Sequence, residues 1–151
     1  MSRRAEIAMT GEELRRFLAE QTALTCATIG PGGRPHLAPL WYAADGDRLV
    51  AWTYAKSQKA RDLERDPRAT VLVEAGTDYG ELRGAQLECD VLLERDPERV
   101  LAAGLAVAAR RAGGPPGAEA RAALARQASK QIRLVFIPTR AGAVGGVCGC
   151  G

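Results

Sequence analysis

Asp45-Gly46, set between two apolar runs, constrains this chain more than any other pair of residues. A short Asp-Gly connection is a strong hairpin signal, because glycine supplies the positive φ that tight hairpin turns need. "HLAPLWYA" (36–43) precedes it and Leu49 to Thr53 follow it, so both read as strands of one antiparallel pair. A second turn, "GPGGRP" (30–35), joins "ALTCATI" (23–29) to the first of these runs. "ATVLVEA" (69–75), then "GTDYG" as a turn, "LRGAQLECDVLLE" (82–94) and "QIRLVFIP" (131–138) bring the count to about six, mostly antiparallel. Strands joined by hairpins dispose of their unpaired edges most easily by closing into a barrel.

Helices fill three gaps. Thr10 and Glu13 form a capping-box pair, and Leu14, Phe17 and Leu18 supply one apolar stripe, which predicts a helix over 11–20. A short helix is expected at about 57–66, closed by Pro67. Asp96-Pro97-Glu98 opens another with a cap, a proline at the first helical position and an acid near the positive pole. "GGPPG" (113–117) ends it, and an alanine- and arginine-rich helix runs on to about Lys130. The fold class is therefore α+β. Residues 1–140 read as one domain, and 141–151, "AGAVGGVCGCG", as a flexible glycine-rich tail with too little apolar surface to order by itself. No internal repeat is evident, and no G-x-G-x-x-G follows a strand, which argues against a Rossmann domain.

The 151 residues suffice for one core, and 46% hydrophobic with 26% charged residues describes a folded chain. A net charge of +3 is too mild for a dedicated nucleic-acid binder. No run approaches the roughly 20 apolar residues of a membrane helix, and "MSRRAEIAMTGEE" is not a secretory signal, so a cytoplasmic location is expected. Cys26 and Cys89 lie in strand-like runs, where a lone cysteine behaves as a small buried hydrophobe. Cys148 and Cys150 are closer together than the usual zinc spacing, and His36 is the single histidine, so no metal site is expected.

The stretch "WTYAKSQKARDLERDPRA" (52–69) is the oddest in the chain. Lys56, Lys59 and Arg61 crowd the start of the expected helix, while Asp62, Glu64 and Asp66 crowd its end. Both signs oppose the helix dipole. An anion among Lys56, Ser57, Lys59 and the free backbone N–H groups would remove the conflict. A solvated, slightly unstable turn with accidental charges is the plainer account, and the physics alone leaves the two level. Pro39 is a second oddity, since it cannot donate a ladder hydrogen bond. It marks either a plain edge strand or a bulge whose freed backbone groups face a bound ring. Trp41 and Tyr42 beside it are either core or packing surfaces for that ring.

The run "CATIGPGGRPHLAPLWYAADGDRLV", followed by "WTYAKSQKARDLERDPRATVLVEAG" and "YGELRGAQLECDVLLERDPE", resembles the split β-barrel proteins of the pyridoxamine 5′-phosphate oxidase-like superfamily. It is most similar to the branch that uses the deazaflavin coenzyme F420. The likeness covers residues 10 to about 98 and continues more weakly to Pro138. G-R-P-H (33–36), the T-x-x-x-S-x-K-x-R run (53–61) and R-D-P-R (65–68) carry it together; none is specific alone.

The resemblance implies a split barrel and a homodimer with cofactor pockets at the subunit interface. It places the cofactor phosphate at Thr53, Ser57 and Lys59, and the ring against Pro39, Leu40 and Trp41. Relatives commonly end in an ordered, tryptophan-bearing segment near the pocket, and this chain has no counterpart to it.

The implied activity is hydride transfer between F420 and a small organic substrate such as an activated double bond, with the cofactor carrying the chemistry. Lys56, Arg61, Arg65 and Arg68 favour F420, whose tail is acidic, over FMN. An FMN enzyme of the same fold, a haem binder, a non-catalytic cofactor carrier and a partner-binding dimer with an empty pocket are the alternatives. No catalytic residue is assigned: His36, Tyr42 and Tyr79 could donate a proton, but each reads first as structural.

Overall fold

The structure, a computed structural model, describes residues 11–145. Helix α1 (Gly11–Glu20) leads into strands β1 (Ala23–Ile29), β2 (Pro35–Trp41), β3 (Ala43–Asp45) and β4 (Arg48–Tyr54). Helix α2 (Gln58–Arg65) precedes β5 (Arg68–Ala75) and β6 (Arg83–Glu94). Helices α3 (Pro97–Ala112) and α4 (Ala118–Ala128) precede β7 (Gln131–Gly145). The strands form one antiparallel sheet in the order β2-β1-β5-β6-β7-β4-β3.

A single residue, Tyr42, separates β2 from β3, yet these are the two outermost strands of the sheet. The sheet must curl until its edges meet at that corner, which makes it a barrel split along one seam. Tyr42 locks the corner: it is fully buried, its N–H donates to Thr22 O at 3.0 Å, and its hydroxyl donates to Leu18 O at 2.6 Å. The expected single strand over 36–43 is thus two strands, and the sheet has seven rather than about six. Beyond it, Asp45 pairs with Arg48 across a two-residue connection in which Gly46 has φ +60°. That connection is the hairpin Asp45-Gly46 announced.

Side-chain alternation sorts the rest. Leu24 and Cys26 of β1, Val71 and Val73 of β5, Leu87 and Val91 of β6, Ile132, Leu134 and Phe136 of β7 and Leu49 and Ala51 of β4 form the barrel interior. Phe17 and Leu18 of α1 and Ala60 and Leu63 of α2 are buried in the same core. Alpha helix α3, capped by Asp96 and closed by Gly113 at φ +76°, buries Val100, Ala103, Gly104 and Val107. Gly104 lets the Trp52 ring approach so closely that a Cβ there would lie 2.4 Å from it.

One of the two readings of Pro39 holds, and one expectation needs correction. Pro39 marks no bulge, because the β1–β2 register runs unbroken from Ala23↔Trp41 to Ile29↔Pro35. β2 is an edge strand, the place where a missing N–H costs least. The last strand does not stop at Pro138 either. Thr139 is an extra residue opposite the Glu88/Cys89 step, its hydroxyl donates to Glu88 O at 3.1 Å, and pairing resumes from Glu88↔Arg140 to Arg83↔Gly145. Residues 141–145, expected in the tail, are therefore ladder partners of Arg83 to Leu87, where glycine and alanine suffice because the backbone makes the bonds. Thr10 and residues 146–151 lie outside the described residues.

Candidate functional site

β4 delivers the chain to α2 through a tight turn in which Ser57 N–H donates to Tyr54 O at 3.0 Å. Ser57 is the N-cap: its hydroxyl accepts from Ala60 N–H at 3.2 Å, which satisfies one of the helix's unpaired first-turn donors. No acid stands in the first turn. Lys56 and Arg61 are exposed, and Lys59 is half-buried. Lys59 also sits near enough to the Cys26 thiol to oppose the effect of burial, which pushes that thiol up to about 11. Just upstream, Thr53 is 5% exposed, and its hydroxyl has no hydrogen-bond partner among the described residues and is not sealed from the surface.

The two ends of α2 are treated unequally. Every acid at the far end has a partner. Asp62, fully buried, accepts from Thr28 Oγ1 at 2.8 Å, Gln58 Nε2 at 2.8 Å and Arg65 Nη2 at 3.0 Å. Burial raises its pKa, but the hydrogen bonds from Gln58, Thr28 and Arg65 outweigh that and hold the carboxyl below its usual range. Glu64 pairs with Arg95 at 2.6 Å. Asp66 receives two bonds from the Arg68 guanidinium, at 3.0 and 2.7 Å, which with a bond from Arg68 N–H brings it down to about 2. By contrast, Lys56, Lys59 and Arg61 make no ion pair among the described residues. The wrong-signed acids are neutralised inside the chain, and the wrong-signed bases are not.

Arg65 and Arg68 do not serve as free cations beside Lys59: Arg65 donates to Asp62 and to Ile29 O, and Arg68 is held by Asp66. Their charges were visible in the sequence, but the partners that occupy them were not.

Pro39, Leu40 and Trp41 lie on β2, separated in sheet order from β4 by β1, β5, β6 and β7. Pro39 and Trp41 are exposed and Leu40 is half-buried. The Arg111 guanidinium lies 3.3 Å from the Trp41 ring centroid, so α3 covers one face of that ring. Nothing in the sequence spacing announced this contact. Tyr42 is core, His36 is half-buried on β2, and Tyr79 opens a 3-10 turn, Tyr79–Glu81. A cleft of about 390 Å³ crosses the sheet between Ile29, Arg68, Thr70, Asp90 and Thr139, and a groove of about 350 Å³ runs between β3 and α3. Arg68 lines the first, but none of Pro39, Leu40, Trp41, Thr53, Lys56, Ser57, Lys59 and Arg61 lines either one. Among the described residues no cluster of three or more His, Cys, Asp or Glu is arranged for a metal, and no helix is long and apolar enough to cross a membrane.

A family model described as pyridoxamine 5′-phosphate oxidase matches residues 10–136. The chain belongs to that family. A conserved hypothetical protein of Mycobacterium tuberculosis has a similar structure at 34% identity and a TM-score of 0.84, over 95% of this chain and 89% of that one. An F420 reductase matches at 24% identity and a TM-score of 0.66, over 85% of this chain and 94% of its own. HutZ, a haem storage protein of Vibrio cholerae, matches at 19% identity and a TM-score of 0.66, over 89% and 92%. The last two likenesses show the split-barrel fold alone. Among curated proteins, no sequence matches.

Proposed function

We propose that this pyridoxamine 5′-phosphate oxidase family member is a cytoplasmic, homodimeric oxidoreductase that binds coenzyme F420 and transfers hydride between it and a small organic substrate. One observation carries the reading: the bases at the start of α2 are left unpaired while every opposing acid at its far end is satisfied within the chain. A phosphate there would accept from first-turn N–H groups and face Lys56, Lys59 and Arg61, with the unpartnered Thr53 hydroxyl close by in sequence. Ser57 holds the turn open by capping it.

The bound deazaflavin would supply the hydride chemistry, and this chain would supply the grip, the orientation and the exclusion of water. Pro39, Leu40 and Trp41 would back the ring. These residues lie on an open strand edge, and neither cleft described above includes them, so a second subunit is assigned the task of covering the ring. Exposed Leu37 and Trp41 on the same strand give that subunit an apolar row to meet.

FMN is the second reading, because Arg65 and Arg68 are committed elsewhere and only Lys56 and Arg61 remain for an acidic tail. Titration of the purified protein with F420, FMN and haemin, followed by absorbance and fluorescence, separates the readings. Saturable binding of F420 is expected, with sedimentation showing a dimer. Haemin binding alone, or a monomer with tightly bound cofactor, would overturn the proposal.

A further inference from the structure

Asp62 is the one fully buried carboxylate among the described residues, and no step of cofactor chemistry requires it. Its two oxygens are divided. Oδ2 takes the Thr28 hydroxyl of β1, while Oδ1 takes both Gln58, in the first turn of α2, and Arg65, in the last. Arg65 simultaneously reaches Ile29 O, also on β1. One side chain thus ties both ends of a two-turn helix to one strand. α2 is too short to hold its own shape, since isolated helices under about 12 residues are marginal in water. Its orientation must come from outside, and the other buried α2 side chains are Ala60 and Leu63, which grip without direction.

We infer that Asp62 is a positioning residue for a phosphate-bearing cofactor: through Gln58, Thr28 and Arg65 it fixes the direction in which the first turn of α2 presents its N–H groups and Lys59. This rests on the reading that the start of α2 holds the phosphate. The sign of the effect makes the inference specific. Asp62 is an anion beneath an anion site, so by Coulomb's law alone its removal would tighten phosphate binding. A positioning role predicts the opposite.

The test uses Asp62→Asn, which keeps the shape but removes the charge that Gln58 and Arg65 share and puts an amide NH2 where Oδ2 accepted the Thr28 hydroxyl. Affinity is measured for FMN and riboflavin, and for F420 and its phosphate-free deazaflavin fragment, well below the melting temperature of each variant. The ratio of affinities within each pair isolates the phosphate's contribution. General loosening would weaken both members alike and leave the ratio unchanged. Asp62→Asn should shrink the ratio by about tenfold. Thr28→Val, which removes only the donor on β1, should shrink it less, and Thr28→Ser should restore it. These two variants also carry the test if Asp62→Asn does not fold.

An unchanged or larger ratio in Asp62→Asn and Thr28→Val, with Lys59→Ala still collapsing it, would overturn the positioning role and leave the phosphate site standing. A parent protein that shows no phosphate preference at all would overturn both.

Discussion

Gly104→Ala should destabilise the protein, although alanine is the better helix former. In an exposed helix the exchange would gain about 0.8–1.0 kcal/mol. Here the new Cβ would lie 2.4, 2.5 and 2.7 Å from Cζ3, Cη2 and Cε3 of Trp52. Carbon atoms prefer separations of about 3.5–4.0 Å, so α3 or the indole must retreat by roughly 1 Å. A rigid ring between a helix and a strand cannot fold away as a lysine tip would. Overpacking costs about 1–3 kcal/mol, and an immobile indole belongs near the upper end, about 2–3, so that after the helix gain the net loss should be about 1–2 kcal/mol. That corresponds to a fall of about 3–8 °C in melting temperature for a domain of this size, measured by circular dichroism. A double-mutant cycle closes the argument: in a Trp52→Leu background the same glycine change should cost nothing or stabilise. If Gly104→Ala alone raises the melting temperature, the close packing of α3 on β4 is misjudged.

Deleting residues from Gly142 onward removes the partners of Arg83 to Gln86, so alternate amides in that part of β6 should exchange with solvent roughly tenfold faster or more. Unchanged protection would mean that this end of β7 adds nothing to the ladder. Asp62 makes stability depend on acid. Its folded pKa lies below the unfolded value of about 3.9, so its contribution is present above that value and is lost as pH falls through the folded one. Asp62→Asn should therefore lose less melting temperature than the parent as pH falls below about 4, and equal slopes would contradict the assignment of its charge.

Local signals announced most elements of this fold. The apolar stripe of Leu14, Phe17 and Leu18, the Asp96-Pro97 start and the Gly46 turn are short-range chemistry, and each falls where the residues place it. What escaped the sequence is long-range. The Tyr42 corner is as apolar as the strands it divides, so only closure of the sheet reveals it. The end of β7 looked unable to order because its sequence is rich in glycine and poor in apolar residues, but the edge of β6 supplies backbone partners that composition does not report.

The site divides in the same way. The start of α2 near Ser57 and the crowding of Lys56, Lys59 and Arg61 around it were legible from charge and position, but not that these bases lack ion pairs among the described residues. The capture of Arg65 and Arg68, the Thr28–Asp62 bond and Arg111 over Trp41 join residues from different elements, and no spacing rule connects them.

The start of α2 as a phosphate site is the central claim, and Lys59→Ala tests it most directly. In the parent protein the Lys59 ammonium opposes the helix dipole without a partner anion, so its removal should leave the cofactor-free melting temperature unchanged or slightly raised. The same change should weaken binding of F420, or of FMN if that is the cofactor, by roughly 1.5–3 kcal/mol, the worth of a charged hydrogen bond. Fluorescence titration would read this as a dissociation constant about ten- to a hundredfold higher. A variant that binds every candidate cofactor as tightly as the parent would place the phosphate elsewhere and leave the Lys56–Arg61 turn as an ordinary charged surface.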